Sequence, residues 1–448
     1  MKKWFTLVSV LIVMIISGCT ERDFLRKGKE HIVIYESVKH AAFPDIVRLH
    51  SGSFMVVFRE GEGHVSPDGV IQLMKSNDGR VWTGPKTICQ TQWDCRDPSI
   101  TQLKDGLILV SFFQSEYDSS GKIIGPVGLY MVSSYDYGQT FSAPRKIPVD
   151  GFDRPATSDA ILELSNGSLL LPFYAAVPGE KSKAMTLIST NRGEIWSEMN
   201  VIARDSLNEI GFNEPALIEL PDGRVLCMLR TAEADRYQYQ CFSEDGGQSW
   251  SAVRNTGLQG QAADLHLTNN GTLLCAYRDY WPKGVSMVKS YDWAKSWQRE
   301  TQIFSAQGDC AYPSIATLEE RFLAVYYQVN RNQELLNGRS SAILGTFFQA
   351  SPPAAPEGLA ASVSGGKISL RWNVVKDAEY YLIFRASGAD AQKKDRYASV
   401  ENNLFIDSFA KSGQTYSYRI SAVLGRGRNN PDTGNESPLS SSVSVLVE

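Results

Sequence analysis

Two carboxylates, a tyrosine and three arginines recur in phase along this chain. A turn glycine returns about every fifty residues, and counting nine back from it gives Phe43, Asp97, Ser158, Glu214, Ala262 and Tyr312. Counting seven forward gives Arg59, Phe113, Tyr174, Arg230, Arg278 and Gln328. Asp97, Glu214 and Tyr312 thus share one register, and Arg59, Arg230 and Arg278 another. A carboxylate pair about 5–10 Å apart can act as acid and base or nucleophile, and planar guanidinium groups hold an anion in bidentate geometry. Random surface charge would not keep phase. Structural ion pairs would, because Glu214 and Arg230 fall on adjacent strands of one repeat, so both uses stay open at this level.

The elements that must position these groups are short strands. Gly52, Gly106, Gly167, Gly223 and Gly271 each precede an apolar strand, and Arg321 takes the glycine position before a sixth, Phe322 to Tyr327. Near the end of each repeat comes a box of the form S-x-D-x-G-x-x-[WF]. It is complete at Ser134, Asp136, Gly138 and Phe141 and at Ser243, Asp245, Gly247 and Trp250, with degenerate copies around Gly79, Gly193 and Trp297. Such boxes read as structural turns, with Asp capping backbone amides and the aromatic packing between strands. Strand-turn-strand repeats of this length predict an all-β, six-bladed β-propeller. Apolar runs in each second strand fit strands covered on both faces. The segment Ile32 to Val38 is expected to close the ring beside Ala342 to Phe348.

Composition bounds the remaining possibilities. Among 448 residues, 45 basic and 49 acidic side chains give a formal charge of −4, which argues against nucleic acid as a partner. No C-x-x-C or H-x-x-x-H spacing appears, so no metal and no cofactor are expected. Lys2 and Lys3 precede an apolar run that ends in Ile16-Ser17-Gly18-Cys19, so residues 1–19 read as a bacterial lipoprotein signal with lipidation at Cys19. This predicts a lipid-anchored protein of the cell envelope, periplasmic or surface-facing. In that compartment Cys89 could pair with Cys95 and Cys227 with Cys241, or all could be small buried hydrophobes. The propeller is expected over 31–349 and a proline-rich linker over 350–356. The alternating pattern of Leu370, Trp372, Tyr381, Ile383, Tyr416, Tyr418 and Ile420 over 357–448 resembles a fibronectin type III sandwich of seven strands.

Over 31–349 the chain resembles the exo-sialidase (neuraminidase) family. The resemblance rests on the boxes, on Asn213-Glu214 lying sixteen residues before Arg230, and on Ala311-Tyr312-Pro313-Ser314 opening the last inner strand. It implies Tyr312 as nucleophile, Glu214 as its base and Asp68 as general acid, from a loop that also offers Glu60, Glu62 and His64. It further implies substrate binding by Arg230 and Arg278. The family's first arginine is missing, because Ala42 stands in its place in Ala41-Ala42-Phe43-Pro44. Arg59 lies in phase to restore a three-arginine clamp. Arg96 and Asp97 have no counterpart in the family pattern and are assigned to substrate binding.

The expected activity is retaining hydrolysis of a terminal sialic acid or related acidic sugar from a glycan. A sialic acid bears a carboxylate on its anomeric carbon, which suits an arginine clamp and a neutral tyrosine nucleophile. Two rivals stand beside it. One is a propeller glycosidase for a different sugar using Asp97 and Glu214, and the other is a glycan-binding lipoprotein without catalysis.

Overall fold

The computed structural model describes residues 29–231, 236–269, 271–290, 293–306, 308–319, 321–329, 341–348, 354–375, 378, 380–424 and 435–447. The chain is all-β, with no α-helix among the described residues. Its first described strand is β1 (Glu30–Ser37). There follow β2 to β5 (His40–Arg48, Phe54–Gly61, Val70–Ser76, Lys86–Cys89) and β6 to β9 (Asp94–Gln102, Ile108–Tyr117, Ile123–Ser134, Arg145–Ile147). The third group is β10 to β14 (Asp153–Ala156, Leu162–Glu163, Leu169–Ala176, Lys183–Ser189, Glu198–Ala203), and the fourth is β15 to β18 (Phe212–Glu219, Val225–Thr231, Tyr237–Ser243, Arg254–Gln259). Then come β19 to β22 (Gln261–Leu267, Leu273–Tyr280, Lys283–Ser290, Gln298–Ser305) and β23 to β25 (Asp309–Leu318, Arg321–Val329, Ser341–Phe348).

Each group forms one antiparallel sheet in chain order, and β1 completes the last by pairing with β25. Ile32 lies opposite Gly345 and Ser37 opposite Ser341, which is the closure expected from the sequence. The third sheet differs from a simple four-stranded repeat: β10 and β11 both pair with β12, as one inner strand interrupted in the middle. The first strands line the centre, because β2 packs on β6 and β23, β23 on β19, β19 on β15, and β15 on β12, while β10 packs on β8.

The second strand of each sheet is buried through its middle, as in Phe54 to Phe58 and Leu226 to Leu229, since neighbouring sheets cover both of its faces. The turn glycines Gly52, Gly106, Gly167, Gly223 and Gly271 adopt φ between 82° and 95°, a region closed to most side chains. The boxes are structural, as expected. In the complete copies Ser134 and Ser243 Oγ each accept the box glycine's amide at 2.8 Å, and Asp136 and Asp245 accept amides of the following turn. A side chain at Gly138 would strike Met55 and one at Gly247 would strike Leu170, so each box turn packs closely on the preceding sheet.

All six described cysteines are buried thiols. Cys89 and Cys95 Sγ lie 3.5 Å apart, and Cys227 lies directly opposite Cys241. After the propeller-like region come β26 to β33 (Ala360–Ser364, Lys367–Arg371, Tyr380–Ser387, Arg396–Val400, Leu404–Asp407, Thr415–Leu424, Asn435–Glu436, Val443–Leu446). They form one sheet of three strands and one of five, with β32 and β33 both on β31, so eight short strands stand where seven were expected. Trp372, Tyr381, Ile383, Tyr418 and Ile420 are buried between the two sheets. Cys19 and the rest of the expected signal lie outside the described residues, as does much of the proline-rich stretch.

Candidate active site

The repeat position nine residues before the turn is a β-bulge. In β2, β6, β15, β19 and β23 the pairing register slips by one residue at Ala42/Asp45, Arg96/Ser99, Asn213/Ala216, Gln261/Asp264 and Ala311/Ser314. Inside each slip a residue other than glycine takes a left-handed conformation: Phe43 (φ 57°), Asp97 (46°), Glu214 (43°), Ala262 (52°) and Tyr312 (51°). A bulge re-aims the side chain that an ordinary strand would turn toward a neighbouring sheet. All five residues line one central cavity, deepened by Asp45, Ser99, Ser158, Asp159, Asp264 and Ser314. Four of the five precede proline, which lacks the amide that the interrupted ladder cannot pair. The third sheet breaks the phase, since its left-handed residue is Arg154, and Ser158 reaches the cavity from the interrupted stretch.

Tyr312 and Glu214, on the sixth and fourth sheets, meet across this cavity. The Tyr312 hydroxyl donates to Glu214 Oε1 at 2.6 Å, and Arg230 Nη1 donates to the same oxygen at 2.5 Å. Glu214 is only 7% exposed, and its second oxygen has no partner. Burial, followed by the charges of Glu214 and Asp97, pushes the Tyr312 phenol well above its ordinary range, with Arg230 opposing. Arg230 is itself held strongly protonated: burial works against its charge, but Glu214 together with Tyr312, Tyr174 and Tyr280 outweighs it. Asp97 is 6% exposed. It accepts Ser158 Oγ on Oδ2 at 2.9 Å and leaves Oδ1 unpartnered. Burial, opposed by Arg96 and reinforced by Glu214, raises its pKa to about 6.

Arg278 borders the pair without joining it. Its Nη2 donates to Tyr327 Oη at 3.0 Å and to Asp309 Oδ1 at 3.3 Å, and its guanidinium carbon lies 6.0 Å from the Tyr312 ring centre. Arg96 donates to His64 O and Asp94 Oδ2 and packs over the Phe43 ring.

Two expected members lie elsewhere. Arg59 does not point into the cavity and is fully buried. Its Nε donates to Asp94 Oδ1 at 2.7 Å, Nη1 to Gly63 O at 2.8 Å, and Nη2 to Ser66 O and Oγ at 3.2 and 3.0 Å. Repeat phase placed it correctly at the end of its strand, but Asp94, on the next sheet, captures it. The missing arginine at Ala42 is therefore not replaced from this strand, and Ala42 itself is buried. Asp68 closes its own loop. Both its oxygens accept the Glu62 amide, at 3.1 and 3.2 Å, and Lys39 stands 3.7 Å away. Although burial raises it, those bonds and Lys39 leave its pKa below the usual range, the opposite of what a general acid at neutral pH requires.

Of the four loop residues, His64 is the one whose ring joins the aromatic wall. It lies 5.3 Å from the Phe43 ring, which lies 5.0 Å from Tyr312, and its Nδ1 is 3.3 Å from His40 Nε2. Burial and the Arg96 charge lower its pKa to about 4, so it is a neutral imidazole at pH 7. Sequence reasoning had the half-buried aspartates of the cavity available to it but passed over them. Asp45 and Asp264 stand two residues after the bulge residues Phe43 and Ala262, and that repeated spacing was the signal that could have found them, whereas Asp159 lies five residues beyond Arg154.

The chain belongs to the BNR repeat-like domain family, which matches residues 52–325. A search of curated proteins finds no match. Among solved structures it is similar to a protein of unknown function from Dyadobacter fermentans, at 25% identity and a TM-score of 0.65, over 72% of this chain and 98% of that one. It is similar to the Hadza microbial sialidase Hz136 at 16% identity and a TM-score of 0.57, over 70% of this chain and 68% of that one. The Penicillium chrysogenum α-L-arabinanase matches at 13% identity and a TM-score of 0.53, over 70% and 97% respectively. At these identities the last two likenesses establish a shared propeller fold, one that carries glycosidases of more than one kind.

Proposed function

We propose that the chain is a retaining glycoside hydrolase that removes a terminal sugar from a glycan, working at the centre of a six-bladed propeller. The observation that carries this reading is the 2.6 Å bond between Tyr312 and Glu214, with Arg230 on the same carboxylate oxygen. Tyr312 Oη attacks the anomeric carbon as the bond to the leaving oxygen breaks, and its proton passes to Glu214. The leaving oxygen takes a proton from water at the cavity mouth. A second water then attacks the glycosyl-tyrosine carbon, Tyr312 recovers its proton from Glu214, and the remaining water proton goes to solvent. Two displacements retain the anomeric configuration. Arg230 restrains Glu214 as a base while fixing its orientation.

A second reading makes Asp97 and Glu214 the catalytic pair. Asp97's pKa of about 6 favours it, since such a carboxyl holds a proton near neutrality. Comparing Tyr312→Phe with Asp97→Asn on the best glycoside separates the two. Collapse of turnover in Tyr312→Phe alone supports the tyrosine, whereas a dead Asp97→Asn beside an active Tyr312→Phe transfers the chemistry to Asp97. The test of hydrolysis itself is release of aryl from a panel of aryl glycosides, a sialoside included, with the first-formed anomer read by proton NMR. A silent panel would refute it. We further infer that Cys19 carries the lipid that anchors the protein in a bacterial envelope and that 357–448 is a fibronectin type III-like module. Palmitate labelling of the wild type against Cys19→Ala tests the anchor.

A further inference from the structure

We infer that the reacting end of the cavity is a site for an uncharged sugar, selected by Asp97 through a hydroxyl that donates to its free oxygen. This inference rests on the glycoside reading above and names the substrate class. Of the four arginines in or near the site's register, each meets a carboxylate before any ligand arrives. Arg59 pairs with Asp94, Arg230 with Glu214 and Arg278 with Asp309, and Arg96 lies against Asp94 and feels the charge of Asp97. The described residues lining the cavity include Asp45, Asp97, Asp159, Glu214 and Asp264 but no lysine, arginine or histidine. An anionic sugar would bring its carboxylate against Asp97 and Glu214 with none of these four arginines unpaired to receive it, and like charges at close range oppose binding. Arg230 Nε lacks a partner, but the charge of that side chain is already balanced by Glu214.

What the cavity does offer is acceptors. Asp97 Oδ1 and Glu214 Oε2 are both unpartnered, on side chains more than nine-tenths buried. A buried acceptor left unmade is costly, and a sugar hydroxyl supplies the missing donor. Ser158 holds Asp97 Oδ2, so the free oxygen is fixed in place and not rotating to solvent. The left-handed backbone at Asp97 aims the carboxylate at the cavity.

The experiment is titration calorimetry of the full chain with neutral hexoses, pentoses and deoxyhexoses, and with N-acetylneuraminate and glucuronate. The wild type should bind at least one neutral sugar, and bind both acids at least tenfold more weakly. Asp97→Asn keeps the Ser158 acceptor and the side-chain shape, and should weaken neutral-sugar binding by about 10- to 100-fold, the range for a hydrogen bond to a charged group. Asp97→Ala, with its fold checked by circular dichroism, should do at least as much. An acid that binds as tightly as the best neutral sugar, unchanged affinity in both variants, or no neutral sugar bound would each overturn the inference. Asp97-dependent binding with no aryl glycoside hydrolysed would refute the hydrolase reading and leave this assignment standing. Hydrolysis of a sialoside would do the reverse.

Discussion

Replacing Arg59 by methionine distinguishes a substrate clamp from a buried structural ion pair. The substitution removes four hydrogen bonds made by a guanidinium whose side chain, like that of Asp94, is fully buried. Breaking a buried pair by deleting one partner costs about 3–5 kcal/mol because the other charge is stranded. Asp94 would keep Arg96 at 3.2 Å and the Tyr117 hydroxyl at 2.8 Å, which places the loss at the lower end, about 3 kcal/mol. At about 2 °C per kcal/mol for a large domain, melting should fall by about 6 °C. The nest is tight as well as charged: a side chain at Gly69 would fall 1.7 Å from Asp94 Oδ1 and 2.6 Å from Arg59 Nε. The assay is urea unfolding followed by tryptophan fluorescence, paired with sugar affinity on the same preparations. The double variant Arg59→Met with Asp94→Asn should lose less than the sum of the two single losses, since the stranded charge disappears. If Arg59→Met melts like the wild type while sugar affinity falls tenfold or more, the guanidinium reaches the ligand and the placement of Arg59 is wrong.

Tyr312→Phe should abolish turnover by several orders of magnitude while keeping sugar affinity within a few-fold, and Glu214→Gln should lower kcat by about 10²–10⁴-fold, both read with the best aryl glycoside. Gly247→Ala should cost about 1–2 kcal/mol by urea midpoint with turnover unchanged, because φ is 91° there and the new methyl would lie 3.0 Å from Leu170. Asp159, on the cavity wall, has its pKa raised to about 7, chiefly by burial. The folded state therefore holds this proton more tightly than the unfolded chain, and the penalty for ionising it is full above pH 7 and disappears as pH falls toward 4. Asp159→Asn should accordingly melt higher than the wild type at pH 8, by on the order of 3 kcal/mol, with the difference shrinking toward pH 5. A difference that stays constant across that range would show that the carboxyl is not strained by burial.

The fold was legible because its signals are local. A turn glycine, an apolar strand and an Asp box each act within a few residues, and their repetition set the phase that put Asp97, Glu214 and Tyr312 on one cavity. Phase could not say which partner captures a side chain. Arg59 keeps the register of Arg230 and Arg278, yet its fate was decided by Asp94, thirty-five residues away on another sheet. The family resemblance points to Asp68 in its loop, but loop geometry gives its oxygens to the Glu62 amide and places His64 beside Phe43 instead. The third sheet departs from the repeat phase because its inner strand is interrupted between Ala156 and Leu162, so nine residues back from Gly167 does not mark the bulge.

The bulges connect this architecture to its chemistry. A non-glycine residue in the left-handed region costs about 1–3 kcal/mol, and five of them around one cavity approach the whole net stability of an ordinary domain. Such strain persists only where the surroundings over-determine it, and here aspartates on the cavity wall are stapled across the ring. Asp45 Oδ2 accepts the Ile100 amide at 2.6 Å, Asp159 Oδ2 that of Leu217 at 2.9 Å, and Asp264 Oδ2 that of Ile315 at 3.0 Å. Ser314 Oγ donates to Asp45 at 2.5 Å and accepts the Ile46 amide at 3.2 Å, tying the last sheet to the first. These bonds tie the first sheet to the second, the third to the fourth, the fifth to the sixth and the sixth to the first. Glu214 and Tyr312, ninety-eight residues apart on sheets that do not adjoin, are brought within 2.6 Å without either being free to relax. A regular strand could not do this, because its alternation would turn both side chains into the interfaces between sheets. The strain at these positions is thus the structural means by which two side chains from distant sheets are held as a reacting pair.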